Sequence, residues 1–207
     1  MFNVCPACGQ YSVEKDIDPR GPYAICPACG HRHAFRRLPL FVLTGASGSG
    51  KTTVALRLPS LLPECVTLET DILWCPQFDT PEDGYRTYRD LWLRLAKNIG
   101  QNGRPVVLVG SATPEQFEPS PERRYLADIH YLALVCGPAE LTRRLQSRPA
   151  WRDSASPAFI ERMTAFDEWL ATKGPAQQPP IESLDTARLT VEQTAQQVAA
   201  WVRQRVR

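Results

Sequence analysis

Five compact apolar runs punctuate the chain from residue 40 onward: LFVLT (40–44), CVTLET (65–70), PVVLVGS (105–111), IHYLALVC (129–136) and IESLD (181–185). Several are rich in Val and Ile, and each reads as a strand buried on both faces of a sheet. Between them the apolar positions change period. Tyr85, Tyr88, Trp92, Leu95 and Ile99 recur at spacings of 3 and 4, which lines one face of a helix with core residues. The last helix opens at Thr190 with Gln193 three residues on, a capping-box pattern, and carries Val198, Trp201 and Val202 inward. GPAQQPP (174–180) reads as a loop. Strands alternating with helices imply an α/β fold whose parallel sheet is closed by right-handed crossovers.

The first 37 or so residues break this pattern. They are poor in large aliphatics and rich in Cys, Pro, Gly and basic side chains, so they cannot fold alone without a staple. The expected organisation is a small domain over 1–37 and an α/β domain over 38–207. The 207 residues, 43% hydrophobic and 22% charged, suffice for one ordinary core plus that appendage. A net charge of +2 neither demands nor excludes nucleic acid. MFNVCPACGQ has no apolar leader core and no later stretch approaches 18 uninterrupted apolar residues, which predicts a soluble, non-secreted, cytoplasmic protein without membrane contact. Seven cysteines, four of them in two tight pairs, argue for metal binding in a reducing compartment over a disulfide framework.

CPACG occurs at 5–9 and again at 26–30, with 17 residues between Cys8 and Cys26. Two such knuckles can place Cys5, Cys8, Cys26 and Cys29 tetrahedrally about one structural zinc. A redox dithiol would need only one pair. His31 and His33 are expected as exposed neighbours, since four sulfurs already close the site. The segment resembles the zinc ribbons, many of which bind nucleic acid or protein. Lys15, Arg20, Arg32, Arg36 and Arg37 are then either a contact surface or a solvated basic face.

GASGSGKT (45–52) follows the first apolar run and leads into TVALRL. Strand, glycine-rich loop and helix together give the context of a phosphate-binding loop. Its glycines let successive N–H groups face a β-phosphate at a helix N-terminus. Gly45, Ala46, Ser47, Gly48, Ser49, Gly50, Lys51, Thr52 and Thr53 are the nucleotide-binding candidates. Lys51 reaches the β- and γ-phosphates and the Thr52 hydroxyl ligates Mg²⁺.

Motors and switches usually carry an acidic residue closing an apolar strand. PVVLVGS ends instead in Gly110 and Ser111, and no acidic residue follows until Glu115. No guanine-reading N-K-x-D pattern occurs either. The acidic group stands on a different strand. Asp71 follows CVTLET at the edge where an open α/β sheet binds ligands, and a carboxylate there can take the proton of an attacking hydroxyl. An aspartate at such a place also serves as a helix cap. Glu69 is the reserve candidate. Arg143, Arg144, Arg148 and Arg152 follow in ELTRRLQSRPAWRD, with the last three spaced to share one helix face until Pro149 breaks it after Arg148. Mobile arginines can close over a nucleotide, stabilise the transferring phosphoryl and exclude water. A solvated basic helix face is the plainer alternative.

With GASGSGKTT, ETDILW and RRLQSRPAWR, the chain resembles the P-loop small-molecule kinases over roughly residues 38–207. These include nucleoside and nucleotide kinases, shikimate and gluconate kinases and chloramphenicol phosphotransferase. The resemblance implies a five-stranded parallel sheet in order 2-3-1-4-5, ATP with Mg²⁺ as donor, and a lid after the helix that follows strand four. It implies Lys51 with Arg144 or Arg148 at the γ-phosphoryl, Asp71 at the acceptor, and Asp185 to Ala187, Thr186 included, along the adenine. Arg86, Arg89, Gly110, Ser111, Thr113 and Arg152 are further acceptor-side candidates, the Ser and Thr hydroxyls being available for hydrogen bonds; Arg86 and Arg89, opening the helix after Asp71, either reach an acceptor phosphate or carboxylate or sit in solvent. The match departs at E-T-D, where a shikimate-type kinase has D-x-D, and in lacking the arginines that grip a second phosphate in nucleoside monophosphate kinases. The expected partner is a small-molecule phosphoryl acceptor, with nucleoside- or nucleotide-like compounds favoured, for a monomer or homodimer. Two other readings stay open: a nucleic-acid-associated protein docked through the ribbon, and a non-catalytic nucleotide-binding scaffold.

Overall fold

The computed structural model describes residues 3–18 and 20–206. Met1, Phe2, Pro19 and Arg207, which belong to the expected segments, lie outside the described residues. Three short strands, β1 (Asp16–Asp18), β2 (Tyr23–Ile25) and β3 (Arg32–Ala34), pair antiparallel in chain order. The other sheet is entirely parallel and contains β4 (Leu40–Gly45), β5 (Val66–Glu69), β6 (Val106–Val109), β7 (Ile129–Val135) and β8 (Ile181–Asp185). Its spatial order is β5-β6-β4-β7-β8, which is 2-3-1-4-5 when strands are counted from β4.

The uninterrupted apolar runs follow from two cores, one on each face. Leu40 and Val42 of β4, Val106 and Leu108 of β6, and Tyr131 and Ala133 of β7 face Trp92 and Leu93 of α3 (Arg86–Gly100) and Leu170 of α6 (Pro157–Thr172). The alternate residues Phe41, Leu43, Val107, Val109, Leu132 and Leu134 face α1 (Lys51–Ala55), α2 (Leu58–Leu61) and α7 (Val191–Arg203). Period-2 alternation thus places an apolar residue on both sides at every step. The expectation of two-sided burial fails at the margins. Every residue of β5 is half-buried, and Glu182, Ser183 and Asp185 of β8 are exposed, because an edge strand has one strand neighbour and incomplete helix cover. At α7 the capping box forms: Gln193 N donates to the Thr190 hydroxyl at 3.1 Å and Thr190 N to Gln193 Oε1 at 2.9 Å.

The ribbon does not hang from the body. Ala24, Phe35 and Ile17 pack with Tyr125, which belongs to a short turn of helix at Pro121–Tyr125. The Tyr125 hydroxyl accepts from Lys15 N at 2.8 Å and donates to the Val13 carbonyl. Beside it lies an ion pair of Lys97 with Glu122, both side chains 0% exposed, to which Arg94 adds a 2.8 Å bond and Asn3 accepts from Lys97 at 2.6 Å. The Lys97 ammonium also sits 4.3 Å from the centre of the Tyr125 ring. Burying these charges is tolerable only because each meets an opposite charge or a hydrogen-bond partner.

Candidate active site and metal centre

The two CPACG knuckles are near copies of one another. Gly9 N donates to the Cys5 carbonyl and Gly30 N to the Cys26 carbonyl, both at 2.9 Å, and Cys5 N and Cys26 N reach the carbonyls of Gln10 and His31. Each turn places its glycine at positive φ, 75° at Gly9 and 71° at Gly30, where a β-carbon would strain it. The four cysteine sulfurs lie within 4.8 Å of one another, with Cys5–Cys29 at 3.7 Å and Cys8–Cys26 at 3.8 Å. Zinc–sulfur bonds of about 2.3 Å in a tetrahedron put the sulfurs roughly 3.8 Å apart, so the residues fit a closed zinc site. Burial works against ionisation of Cys5, but the amides of Cys8 and Ala7 and the neighbouring thiols hold it down at about 6. Among the described residues this is the one cluster of its kind. His31 is exposed and His33 half-exposed, and neither belongs to it. The ribbon's basic residues do not form one cationic face. Lys15 is buried, Arg20 and Arg32 pair with Asp18 at 3.3 and 2.6 Å, and Arg37 donates to the Leu126 carbonyl at 2.9 Å.

At the C-terminal edge of the parallel sheet a cavity of about 640 Å³ opens. The loop 47–50, between β4 and α1, forms its floor. Gly45 has φ 149°, and a β-carbon there would come 2.6 Å from the Leu134 carbonyl of the neighbouring strand, so only glycine lets the chain leave β4 so close to β7. Gly45 and Ala46 stand behind the cavity and contribute their carbonyls, to which Lys51 Nζ donates at 2.7 and 2.9 Å. Burial brings the Lys51 ammonium down to about 8; Asp71 and Glu69 oppose this, and Arg148 adds to it. Ser47 to Thr53 line the wall. The Thr52 hydroxyl donates to Glu69, the last residue of β5. A hydroxyl and a carboxylate in contact are the hard oxygen donors that Mg²⁺ takes.

The arginines arrive from the opposite side. α5 spans Pro138–Gln146 and ends two residues earlier than Pro149 led us to expect, with Ser147 as its cap and the Ser147 hydroxyl donating to the Arg144 carbonyl at 2.9 Å. Arg144, Arg148 and Arg152 therefore do not share one helix face: the first is helical, the second lies in the exit turn, and the third sits in a short 3-10 turn (Ala150–Arg152). All three, with Arg143, still converge on the cavity. Arg144 donates to Glu140 at 2.7 Å, to the Ser49 carbonyl at 3.3 Å, and to the Thr186 hydroxyl and carbonyl at 3.2 and 3.1 Å. Arg148 donates to the Ser47 hydroxyl at 2.8 Å, and burial followed by the nearby Arg152 lowers its guanidinium from the usual range. Glu140 is held down at about 2 by Arg143 and Arg144. Five cations (Lys51, Arg143, Arg144, Arg148 and Arg152) thus face three carboxylates (Glu69, Asp71 and Glu140) around one space, a lining suited to a polyanion.

Asp71 belongs not to β5 but to a 3-10 turn, Thr70–Leu73, and does not cap it; Glu69 holds that position. Its exposed carboxylate lines the cavity and accepts from the Thr70 hydroxyl at 3.3 Å. Gly110 and Ser111 line it as well. The Ser111 and Thr113 hydroxyls, however, are already engaged: Ser111 donates to the Gly45 carbonyl at 2.9 Å, and Thr113 is the buried cap of α4 (Pro114–Phe117). Arg86 and Arg89 lie outside this cavity. Arg86 lines a separate groove with Glu14 and Arg124, and Arg89 reaches back to the Gly84 carbonyl, because α3 starts only after two left-handed residues, Gly84 and Tyr85. Asp185 is likewise outside, accepting from Ala187 N at 2.8 Å in a local turn, whereas Thr186 and Ala187 line the cavity. Several lining residues were not singled out from sequence. Glu140 holds both Arg143 and Arg144, and its i,i+3 and i,i+4 spacing to them was available as a signal. Leu189, Val191 and Thr194 finish the wall beside Thr186, with no signal beyond proximity to β8.

No protein-family model and no curated protein sequence matches the chain. Solved structures do. A sugar kinase from Janibacter sp. superposes with a TM-score of 0.59 at 19% identity, over 81% of this chain and 95% of that one. A gluconokinase from Sinorhizobium meliloti gives 0.54 at 19%, over 83% and 95%. A shikimate kinase from Acinetobacter baumannii, in complex with shikimate, gives 0.52 at 22%, over 83% and 96%. At these identities the likeness is one of fold. The chain shares the α/β fold of these sugar, shikimate and gluconate kinases. Among the described residues no helix is long and apolar enough to cross a membrane.

Proposed function

We propose that the chain is a phosphotransferase that moves the γ-phosphoryl of ATP to a hydroxyl of a small organic acceptor. The observation that carries this reading is the meeting, in one cavity, of the glycine-rich loop before α1, Arg143, Arg144, Arg148 and Arg152, and the Asp71 carboxylate. The named activities of the sugar, shikimate and gluconate kinases that share the fold support it.

The loop amides and Lys51 hold the β- and γ-phosphates. Thr52, with Glu69 beside it, holds Mg²⁺, which when bound neutralises charge on those phosphates. Arg144, between Ser49 and Thr186, lies along the nucleotide, while Arg148, on Ser47, is the arginine free to turn toward the γ-phosphoryl. Asp71 accepts the acceptor's hydroxyl proton as that oxygen bonds to the γ-phosphorus, the bond from phosphorus to the β,γ-bridging oxygen breaks, and ADP leaves with that electron pair. The lid keeps water from competing. Nucleoside- or nucleotide-like acceptors are favoured, and the zinc ribbon is a structural brace.

γ-Labelled ATP·Mg²⁺ and pooled acceptors (nucleosides, nucleotides, sugar acids, antibiotics and short oligonucleotides) test the reading. Label moves to one small molecule, and Asp71→Asn lowers its turnover by roughly 10²–10⁴-fold with ATP binding retained. Label on oligonucleotides alone would instead support a nucleic-acid end kinase. ATP binding without transfer to any of them would leave a scaffold.

A further inference from the structure

We propose that Tyr88 is a positioning residue for phosphoryl transfer: one buried side chain brackets the turn that carries Asp71 and fixes where that carboxylate meets the acceptor's hydroxyl. This rests on the kinase reading and adds to the same site a residue that acts only through others, since Tyr88 does not line the cavity. The turn needs such a support. Asp71 is exposed, none of the four residues Thr70–Leu73 is buried, and of their two aliphatic side chains only Leu73 packs on the core. Trp74 N donates to the Asp71 carbonyl at 3.1 Å and closes the turn.

Tyr88 reaches both ends of that turn. Its hydroxyl donates to the Thr70 carbonyl, and its ring meets Trp74 edge-on with centres 5.3 Å apart. The tyrosine is itself held on α3, buried, with its ring against Trp92 at 5.7 Å and Phe78 at 5.3 Å. A phenylalanine would pack there as well, so core packing accounts for the ring and not for the hydroxyl. Thr70 passes the constraint on. Its own hydroxyl donates to the Asp71 carboxylate at 3.3 Å, and it sits hard against the exit of β6: a β-carbon at Gly110 would come 2.5 Å from the Thr70 methyl. Thr70, Asp71 and Gly110 all line the cavity. Any shift of the Thr70 backbone therefore carries the carboxylate with it, and displacing a reacting group by about 1 Å costs roughly 10²-fold in rate.

The test is Tyr88→Phe, which keeps the ring and removes the hydroxyl, assayed with γ-labelled ATP·Mg²⁺ and whichever pooled acceptor takes label. Single-turnover transfer falls about tenfold to a hundredfold with the ATP Kd unchanged. The same substitution made in Asp71→Asn lowers transfer by less than about twofold, because a carboxylate already removed cannot be misplaced. A purely structural tyrosine gives the opposite pattern, with the loss repeated in full on top of Asp71→Asn. That outcome, or a Tyr88→Phe rate equal to the parent's, overturns the bracket while leaving the kinase intact. If nothing accepts label, the kinase reading falls and amide hydrogen exchange decides. Exchange of the Trp74 N–H, which closes the turn on Asp71, at least about tenfold faster in Tyr88→Phe upholds the bracket, and an equal rate overturns it.

Discussion

The ribbon and the sheet-edge cavity are both built from a glycine-bearing loop that gathers side chains about a point, yet they end in opposite states. In the ribbon, four thiols close on one another within 4.8 Å, and the backbone of each knuckle bonds to itself. In the cavity, five cations and three carboxylates surround about 640 Å³ of open space. A closed shell contributes to folding, whereas an open one waits for a ligand, and what is stored in each should respond to different insults.

Stripping zinc should produce the largest effect. Structural zinc sites supply on the order of 10 kcal/mol of folding free energy, so a strong chelator under reducing conditions, or Cys26→Ser, should unfold residues 3–37 and expose Tyr125. Tyrosine solvent accessibility and zinc content would follow this directly. Nucleotide affinity should stay within about twofold, because none of the cavity's lining residues comes from the ribbon. A proportional loss of nucleotide binding would erase the distinction drawn above.

Next comes the seam between the two regions. Glu122→Gln leaves the fully buried Lys97 without its carboxylate, and removing one member of a buried pair costs about 3–5 kcal/mol. Urea unfolding should register that loss, and the isosteric amide rules out a cavity as its cause. Unchanged stability would mean that Asn3 and the Tyr125 ring satisfy the ammonium by themselves.

That seam also shows where reading a sequence stops. CPACG twice and GASGSGKT are legible because fixed short spacings impose backbone geometry whatever surrounds them. The central strands are legible because two-sided burial demands unbroken apolar runs. The pairing of Lys97 with Asn3 spans 94 positions, and that of Thr52 with Glu69 joins a helix to a neighbouring strand; neither leaves a local pattern. Arg86 and Arg89 were expected at the acceptor because they follow Asp71 closely in sequence. Where they point depends on the left-handed pair Gly84 and Tyr85, and a left-handed tyrosine is not something composition announces.

Within the cavity, the arginines divide by how firmly they are held. Arg148 has one hydrogen bond to the loop, at Ser47, whereas Arg144 bridges Glu140, Ser49 and Thr186. Arg148→Ala should lower turnover about 10²–10³-fold with little change in ATP Kd, the signature of a charge used in the transition state. Arg144→Ala should instead weaken ATP binding. Single-turnover rates set beside equilibrium titration separate the two, and identical profiles would show that the arginines act as one unit.

The smallest effect follows from Lys51. Its ammonium is brought down to about 8 by burial, against an ordinary value of 10.5. Between those values the unfolded chain carries more protons than the folded one, so this group's contribution to the stability of the free protein rises with pH across that window. Nucleotide binding moves the other way. A phosphate in the loop favours charged Lys51, so above about pH 8 binding must take up a proton, and affinity falls by up to tenfold per pH unit, while below pH 8 it is flat with respect to this group. Calorimetry at pH 7 and pH 9 in buffers of different ionisation enthalpy would register the uptake as a buffer-dependent heat at the higher pH alone. Lys51→Arg, which keeps its charge throughout, should bind more weakly but lose the pH dependence. A wild-type affinity unchanged between the two pH values would mean that the phosphate loop holds its lysine charged even when empty, and the cavity would then be less unlike the ribbon than its open lining implies.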